Sequence, residues 1–278
     1  MHIVACVKMV PDTTQVKVDP VNNTLVREGI PFITNPFDDN AVEAALDLKD
    51  RYGAKVSVIS MGPLPAEVVI RKAIARGADA GYLISDRAFG GSDTLATSRV
   101  LAAAVARLSE KEPVNIVICG KQTIDGDTAQ VGPGMATRLG YSQITLVDQI
   151  AAVREKEGSM VARVRFDDRY EMIEAKLPSV ITVIREMNQP RYPSVPGRLH
   201  AEKINISVWG NDILKLDTKT TGLNGSPTFV KRIFAPPKKV GEVVKGANGD
   251  QAEAIDKIQA KLEEWKIGHW SGKEDALE

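Results

Sequence analysis

Val114-Asn115-Ile116-Val117-Ile118-Cys119 runs straight into Gly120-Lys121-Gln122-Thr123-Ile124-Asp125-Gly126-Asp127-Thr128-Ala129-Gln130-Val131-Gly132-Pro133-Gly134. The first part is a short β-rich run too apolar on both faces for an exposed hairpin, and it suits a strand of a parallel sheet covered by helices. The second part begins where that strand ends, and Asp127 or Thr128 can cap a helix that stops at Gly140. Ligands of open α/β sheets occupy the crevice beyond the carboxyl ends of the strands, where this run lies. Its small residues let backbone N–H groups approach a phosphate, and a helix N-terminus adds partial positive charge. Taken alone, the run reads equally as a tight connection.

The same unit recurs toward the N-terminus. Ile3 to Val7, Lys55 to Met61 and Ala80 to Ser85 are further apolar runs. Asp38-Asp39-Asn40 offers N-caps to a helix through Ala41, Ala44, Ala45 and Leu48, Pro65 can open a second that ends at Arg76 before Gly77, and Ser92 or Asp93 can cap a third. Strand and helix therefore alternate, which predicts an α/β doubly wound, mostly parallel, Rossmann-like sheet. The loop from Ser85 to Ser98 occupies the place equivalent to Gly120–Val131. It joins Gly90-Gly91 to a helix start carrying Thr94, Thr97 and Ser98, with Phe89 able to flank a planar ring; an ordinary glycine turn and cap is the alternative. Val7-Lys8 and Met61-Gly62-Pro63 complete four strand ends of small or polar residues that one crevice can use together.

After Gly140 the pattern changes to strands at Ile144–Val153, Met160–Phe166, Glu171–Ala175 and Ser179–Val183, expected to extend the sheet with antiparallel members. From Gln189 to Gly197 three prolines in seven positions argue against helix or central strand and for an exposed, stiff arm. A second Pro/Gly-rich stretch, 236–249, precedes a helix from about Gln251 to Trp265 whose apolar stripe, Ala252, Ile255, Ile258, Leu262 and Trp265, needs a surface to pack on. The expected division is residues 1–188 as a nucleotide-binding α/β domain and 189–278 as a partner-recognition arm and C-terminal extension.

With 278 residues, 43% of them hydrophobic, the chain can build a sizeable core. Basic and acidic residues both total 36, so no net field draws it to nucleic acid or anionic lipid. The absence of a long apolar run or a secretion signal predicts no membrane contact and a cytoplasmic protein. Cys6 and Cys119, each within an apolar run, read as buried small hydrophobes, and the scattered His2, His200 and His269 lack ligand spacing, so no metal is expected.

Val4-Ala5-Cys6-Val7-Lys8, Asn35-Pro36-Phe37-Asp38, Met61-Gly62-Pro63 and Gly120 to Gln130, in this order and spacing, closely resemble the β subunit of electron-transferring flavoproteins. The resemblance continues through Lys176-Leu177-Pro178-Ser179-Val180-Ile181-Thr182-Val183 and Pro190-Arg191-Tyr192, covering nearly the whole chain. It implies a larger α subunit that carries the electron-transferring FAD. It also implies an adenine-nucleotide site on this chain, holding inert AMP in ordinary members and a whole FAD that accepts hydride from NADH in electron-bifurcating ones. Asp86-Arg87-Ala88-Phe89-Gly90-Gly91 leading into Asp93-Thr94 looks like the bifurcating version, so FAD is expected, with AMP as the alternative.

The cofactor-binding residues implied are Cys6, Val7 and Lys8 after the first strand, Asn35, Pro36, Phe37 and Asp38, then Met61 and Gly62. Asp86, Phe89, Gly90, Gly91, Asp93, Thr94 and Thr97 follow from the second loop. Gly120, Gln122, Thr123, Asp125, Gly126, Asp127, Thr128, Gln130 and Val131 complete the set. Hydroxyls and backbone N–H groups of Thr94, Thr97, Asp127 and Thr128 are expected at the diphosphate. The flavin carries the chemistry, so no catalytic nucleophile is sought. From the β-subunit flavin one electron is expected to reach ferredoxin and the other the α-subunit FAD and then a dehydrogenase, of acyl-CoA or lactate-oxidising type.

The arm from Gln189 to Lys203 resembles the loop by which the family grips that dehydrogenase, with Tyr192, Val195 and Pro196 as anchors. Ordinary members carry leucine where this chain has Val195, a loss of about one methylene, or about 0.8 kcal/mol of burial. The rival reading as an ATP-handling α/β protein would want an early Ser-Gly-Gly-x-Asp-Ser loop, and Met9-Val10-Pro11-Asp12-Thr13 offers nothing similar.

Overall fold

A computed structural model describes residues 1–12, 17–18, 25–26, 31–228 and 251–265. The stretch 236–249 and His269 lie outside them. The chain begins with β1 (His2–Cys6), every residue of which is buried, followed by β2 (Met9–Pro11), β3 (Lys17–Val18), β4 (Leu25–Val26) and β5 (Phe32–Thr34), which form two small hairpin pairs, β2 with β5 and β3 with β4. Alternation then sets in: α1 (Pro36–Tyr52), β6 (Lys55–Met61), α2 (Glu67–Arg76), β7 (Ala80–Ile84), α3 (Thr94–Ser109), β8 (Ile116–Gly120) and α4 (Val131–Leu139). β9 (Ser142–Arg154), β10 (Ser159–Arg165), β11 (Tyr170–Lys176) and β12 (Ser179–Val183) follow, then α5 (Val195–Lys203), β13 (Ser207–Trp209) and α6 (Asn211–Leu214).

One nine-stranded sheet results, in the order β11-β10-β9-β12-β8-β1-β6-β7-β13. The period-two alternation of buried strands explains its two cores. Ile3, Ala5, Val7, Val56, Val58, Ile116 and Ile118 join α1 and α2 on one face; Val4, Cys6, Ile59, Ile84, Val117 and Cys119 join α3 and α4 on the other. The doubly wound α/β expectation therefore holds. Of the strands after Gly140, β10 and β11 are antiparallel to their neighbours, whereas β12 inserts between β9 and β8 and runs parallel to both. That insertion gives β12 two strand partners, consistent with its fully buried residues.

α1 starts at Pro36, earlier than Asp38-Asp39-Asn40 suggested. Proline suits the first turn because its missing N–H would have no helical partner there, and Asp38 and Asp39 fall in the first turn, where the helix dipole favours them. A similar correction applies to the proline-rich arm. The prolines do not exclude helix, because Pro196 occupies the first turn of α5 and Ser194 Oγ caps it by accepting Gly197 N–H at 3.0 Å. The arm is also anchored: Arg191 pairs with Glu43 and Asp50, and Arg71 of α2 donates to the Ala201 carbonyl. Tyr192 and Val195 nevertheless stay 94% and 73% exposed.

Past residue 188 the chain returns to the sheet, where β13 pairs parallel with β7. The compact units are Met1–Ile233 and Phe234–Glu278, so the expected boundary at 188/189 falls inside the first. In the second unit α7 (Gln251–Glu264) carries the expected stripe, and Ile255, Ile258, Leu262 and the following Trp265 are exposed. Among the described residues no helix is long and apolar enough to cross a membrane.

Candidate functional site

The carboxyl ends of β1, β6, β7 and β8 open into a cavity of about 730 Å³. Its apolar floor is made by the last inward residues of those strands: Cys6, Ile59, Ile84 and Cys119. One wall is the loop Ser85–Asp93 with Thr94, Thr97 and Leu101 of α3, and the facing wall is Gly120 to Gly132. Met61 to Leu64 form a third side.

Close approach of the elements depends on two glycines. A Cβ on Gly120 would lie 2.6 Å from Phe37 Cβ and collide with Asp38 Oδ1, and one on Gly132 would lie 2.5 Å from Thr182 Cγ2. The loop between them is fastened by Asn35, whose amide donates to the Gln122 carbonyl at 2.9 Å and accepts Ile124 N–H at 3.2 Å. Lys8 Nζ pairs with Asp125 at 2.7 Å. Burial works against ionisation of Asp125, but hydrogen bonds from Lys8 and Thr123 outweigh it and hold its carboxyl below the usual value.

α4 begins at Val131, later than expected, because Asp127 and Ala129 adopt left-handed φ of 49° and 54° and cannot belong to a right-handed helix. Asp127 and Thr128 are therefore not its caps. Asp127 accepts a hydrogen bond from Gln122 Nε2 at 2.8 Å, while Thr128 lines the cavity. No side chain caps α4, so its first N–H groups lack an intrahelical or side-chain acceptor, and Val131 and Gly132 at that end line the cavity. Left-handed Ala129 followed by right-handed Gln130 is the succession that gathers backbone N–H groups into an anion-binding concavity.

The opposite wall is organised by two carboxylates turned onto backbone. Asp86 accepts Ala88 N–H at 2.9 Å and Asn211 N–H at 2.8 Å, and these bonds, Asn211's first, lower its pKa. Asp93 caps α3 by accepting Ala96 N–H at 3.0 Å. Phe89 is packed into the core with one side toward the cavity. Thr94 and Thr97 lie one turn apart and both line it.

Asp38 is buried at the head of α1 and accepts Lys8 N–H at 2.8 Å. Burial pushes its carboxyl up to about 7, against the lowering effect of hydrogen bonds from Asn35, Lys8 and Gly120. The neighbouring Cys119 thiol, burial and Asp38 push the Cys6 thiol well up, so it is a neutral lining group. Both cysteines are free and buried, as their apolar runs implied.

Of the residues singled out from sequence, Cys6, Val7, Lys8, Asp38, Met61, Gly62, Asp86, Phe89, Gly90, Gly91, Asp93, Thr94, Thr97, Gly120, Gln122, Thr123, Gly126, Thr128 and Val131 line this one cavity. Asn35, Pro36, Phe37, Asp125, Asp127 and Gln130 do not; most of these fasten the elements that do. Tyr192, Val195 and Pro196 lie elsewhere, on the arm. Among the lining residues that sequence reasoning missed are Ile59, Ile84, Leu101, Cys119 and Arg87. Leu101 was findable, since Thr94, Thr97 and Leu101 share one helix face, and Ile59 and Ile84 were findable from strand alternation with Cys6.

A family model described as the electron transfer flavoprotein domain matches residues 22–214. The chain is 44% identical to the electron transfer flavoprotein subunit beta of Megasphaera elsdenii, over 96% of this chain and 100% of that one. It is 45% identical to the caffeyl-CoA reductase-Etf complex subunit CarD of Acetobacterium woodii, over 96% and 100%, and 42% identical to Protein FixA of Azotobacter vinelandii, over 94% of each. With a cavity at the switch point of a doubly wound sheet and similarity along nearly its whole length, the chain belongs to the electron transfer flavoprotein β-subunit family.

Proposed function

We propose that this β subunit, paired with an α subunit, holds a whole FAD in the cavity and takes electrons from NADH. The observation carrying this reading is that two polar loops, not one, enclose the space: Ser85–Asp93 faces Gly120–Gly132 across about 730 Å³. A cavity of that size lies within the range of drug- and cofactor-sized sites, roughly 300–1,000 Å³.

The residues fit such a group. The uncapped end of α4 and the Ala129–Gln130 concavity suit a phosphate, Thr94, Thr97 and Thr128 bring hydroxyls, and Ile59, Ile84, Phe89 and Leu101 offer apolar contact to a ring. Bound FAD supplies hydride acceptance from NADH and one-electron delivery, with ferredoxin and, through the α-subunit FAD, a dehydrogenase as the two acceptors. The chain's own work is to position the cofactor and exclude water from its apolar end. The name of the Acetobacterium woodii relative places that protein in a complex with a CoA-thioester reductase, which favours an acyl-CoA type dehydrogenase over a lactate-oxidising one.

The test is to extract and weigh the nucleotides of the purified heterodimer and to titrate it anaerobically with NADH. Two FAD per heterodimer and bleaching by NADH are expected. One FAD with one AMP, and no bleaching, would replace this reading with that of a β subunit holding a structural nucleotide.

A further inference from the structure

The wall that distinguishes this cavity is held from behind by chain more than a hundred residues later. At one end Asn211 N–H donates to Asp86 Oδ2 at 2.8 Å. In the middle Leu223 N–H donates to the Gly90 carbonyl at 3.1 Å. At the other end Asp93 N–H donates to Ser226 Oγ at 2.8 Å, while Thr228 gives its N–H (3.2 Å) and its hydroxyl (2.9 Å) to Asp93 Oδ2. The remaining oxygen of that carboxylate, Oδ1, caps α3 through Ala96. Contact between the segments is too close for side chains at two points. Gly91, at φ +72°, would drive a Cβ into Leu223, and Gly222, at φ +57°, would drive one into the Ala88 carbonyl.

We infer that the segment Gly210–Thr228 is a strap that positions the nucleotide, with Ser226 and Thr228 as positioning residues. Neither lines the cavity. Both act on Asp93, which sets where α3 begins and hence where the Thr94 and Thr97 side chains meet the ligand. A strap serving only the packing of the sheet would have no need of three hydrogen bonds converging on the one residue that caps the ligand-facing helix. This inference rests on the reading that the cavity holds a nucleotide, and it deepens that reading by assigning part of the affinity to residues outside the cavity.

The test compares wild type, Ser226→Ala, Thr228→Val and Thr228→Ser in the assembled heterodimer. The measurements are the rate at which nucleotide is lost from the β site on dialysis, followed by mass, and the visible circular dichroism of retained flavin. Thr228 is exposed, so the unfolding midpoint should barely move. Ser226→Ala and Thr228→Val should each speed loss about tenfold, the worth of a hydrogen bond to Asp93 and its backbone. Thr228→Ser, which keeps the hydroxyl, should restore wild-type retention and dichroism. Wild-type retention in both Ser226→Ala and Thr228→Val, or failure of Thr228→Ser to restore it, overturns the inference. If the nucleotide recovered is AMP, the FAD reading fails, and the rate at which AMP is lost still decides the role of the strap.

Discussion

Thr94 Oγ1 donates to Gln130 Oε1 at 2.7 Å, tying the first turn of α3 to the residue before α4 across the two walls of the cavity. The bond is exposed and neutral, so its contribution to folding is about 1 kcal/mol or less. Its larger effect is expected on access. Gln130→Met removes the acceptor and frees the Thr94 hydroxyl for a ligand oxygen, so nucleotide should enter and leave faster with little change in unfolding midpoint. Stopped-flow rebinding of nucleotide to the stripped heterodimer measures this, and unchanged rates in both directions would show that the pair does not bridge the mouth.

Thr128 lies between two left-handed residues and lines the cavity beside the uncapped end of α4. Thr128→Val keeps the volume and removes the hydroxyl. Retention of the nucleotide should fall by about 1.5–3 kcal/mol, the value of a hydrogen bond to a charged group, while the fold survives. The nucleotide content after extensive dialysis reads the effect; full content would mean that the hydroxyl makes no contact with the ligand.

Asp38 gives the protein a pH dependence with a definite sign. Its carboxyl is raised from 3.8 to about 7, so between these values the folded protein holds a proton that the unfolded chain has released. The stability this group contributes is full below the lower value and is lost as pH rises through the upper one. The span corresponds to a few kcal/mol at most, on the order of 1.4 kcal/mol per pH unit. Asp38→Asn cannot ionise, so its unfolding midpoint should gain on that of the wild type as pH goes from 5 to 8. A difference that stays constant or moves the other way across that range contradicts the assignment.

Val195 is 73% exposed in the first turn of α5, beside the 94% exposed Tyr192, on a segment fastened by Arg191 to Glu43 and Asp50. A pre-formed apolar projection loses little entropy on docking, which makes it an efficient anchor. Val195→Asp would place an unpaired charge in that contact and should weaken dehydrogenase binding by several kcal/mol. On the proposed reading of an FAD in this subunit, its reduction by NADH should stay normal while coupled delivery to the dehydrogenase fails. Normal results in both assays would show that the partner docks elsewhere.

The strand-helix alternation through residue 140 was legible because each buried strand is apolar on both faces and because glycines such as Gly77 and Gly140 stop the helices between them. The cavity was legible for a related reason: in a parallel sheet the loops after consecutive strands emerge at the same edge, so small residues at four strand ends converge without further instruction. Local chemistry alone misplaced the start of α4, since Asp127 and Thr128 have the side chains of caps and only their backbone, left-handed at Asp127 and Ala129, decides otherwise. It also misjudged the arm, where Pro196 proved to lie in the first turn of a helix. The insertion of β12 between β9 and β8, the pairing of β13 with β7 and the grip of Ser226 and Thr228 on Asp93 could not be read from spacing. Each joins segments far apart in sequence, and such pairings are selected by the packing of the whole sheet and its loops, to which no local pattern of residues corresponds.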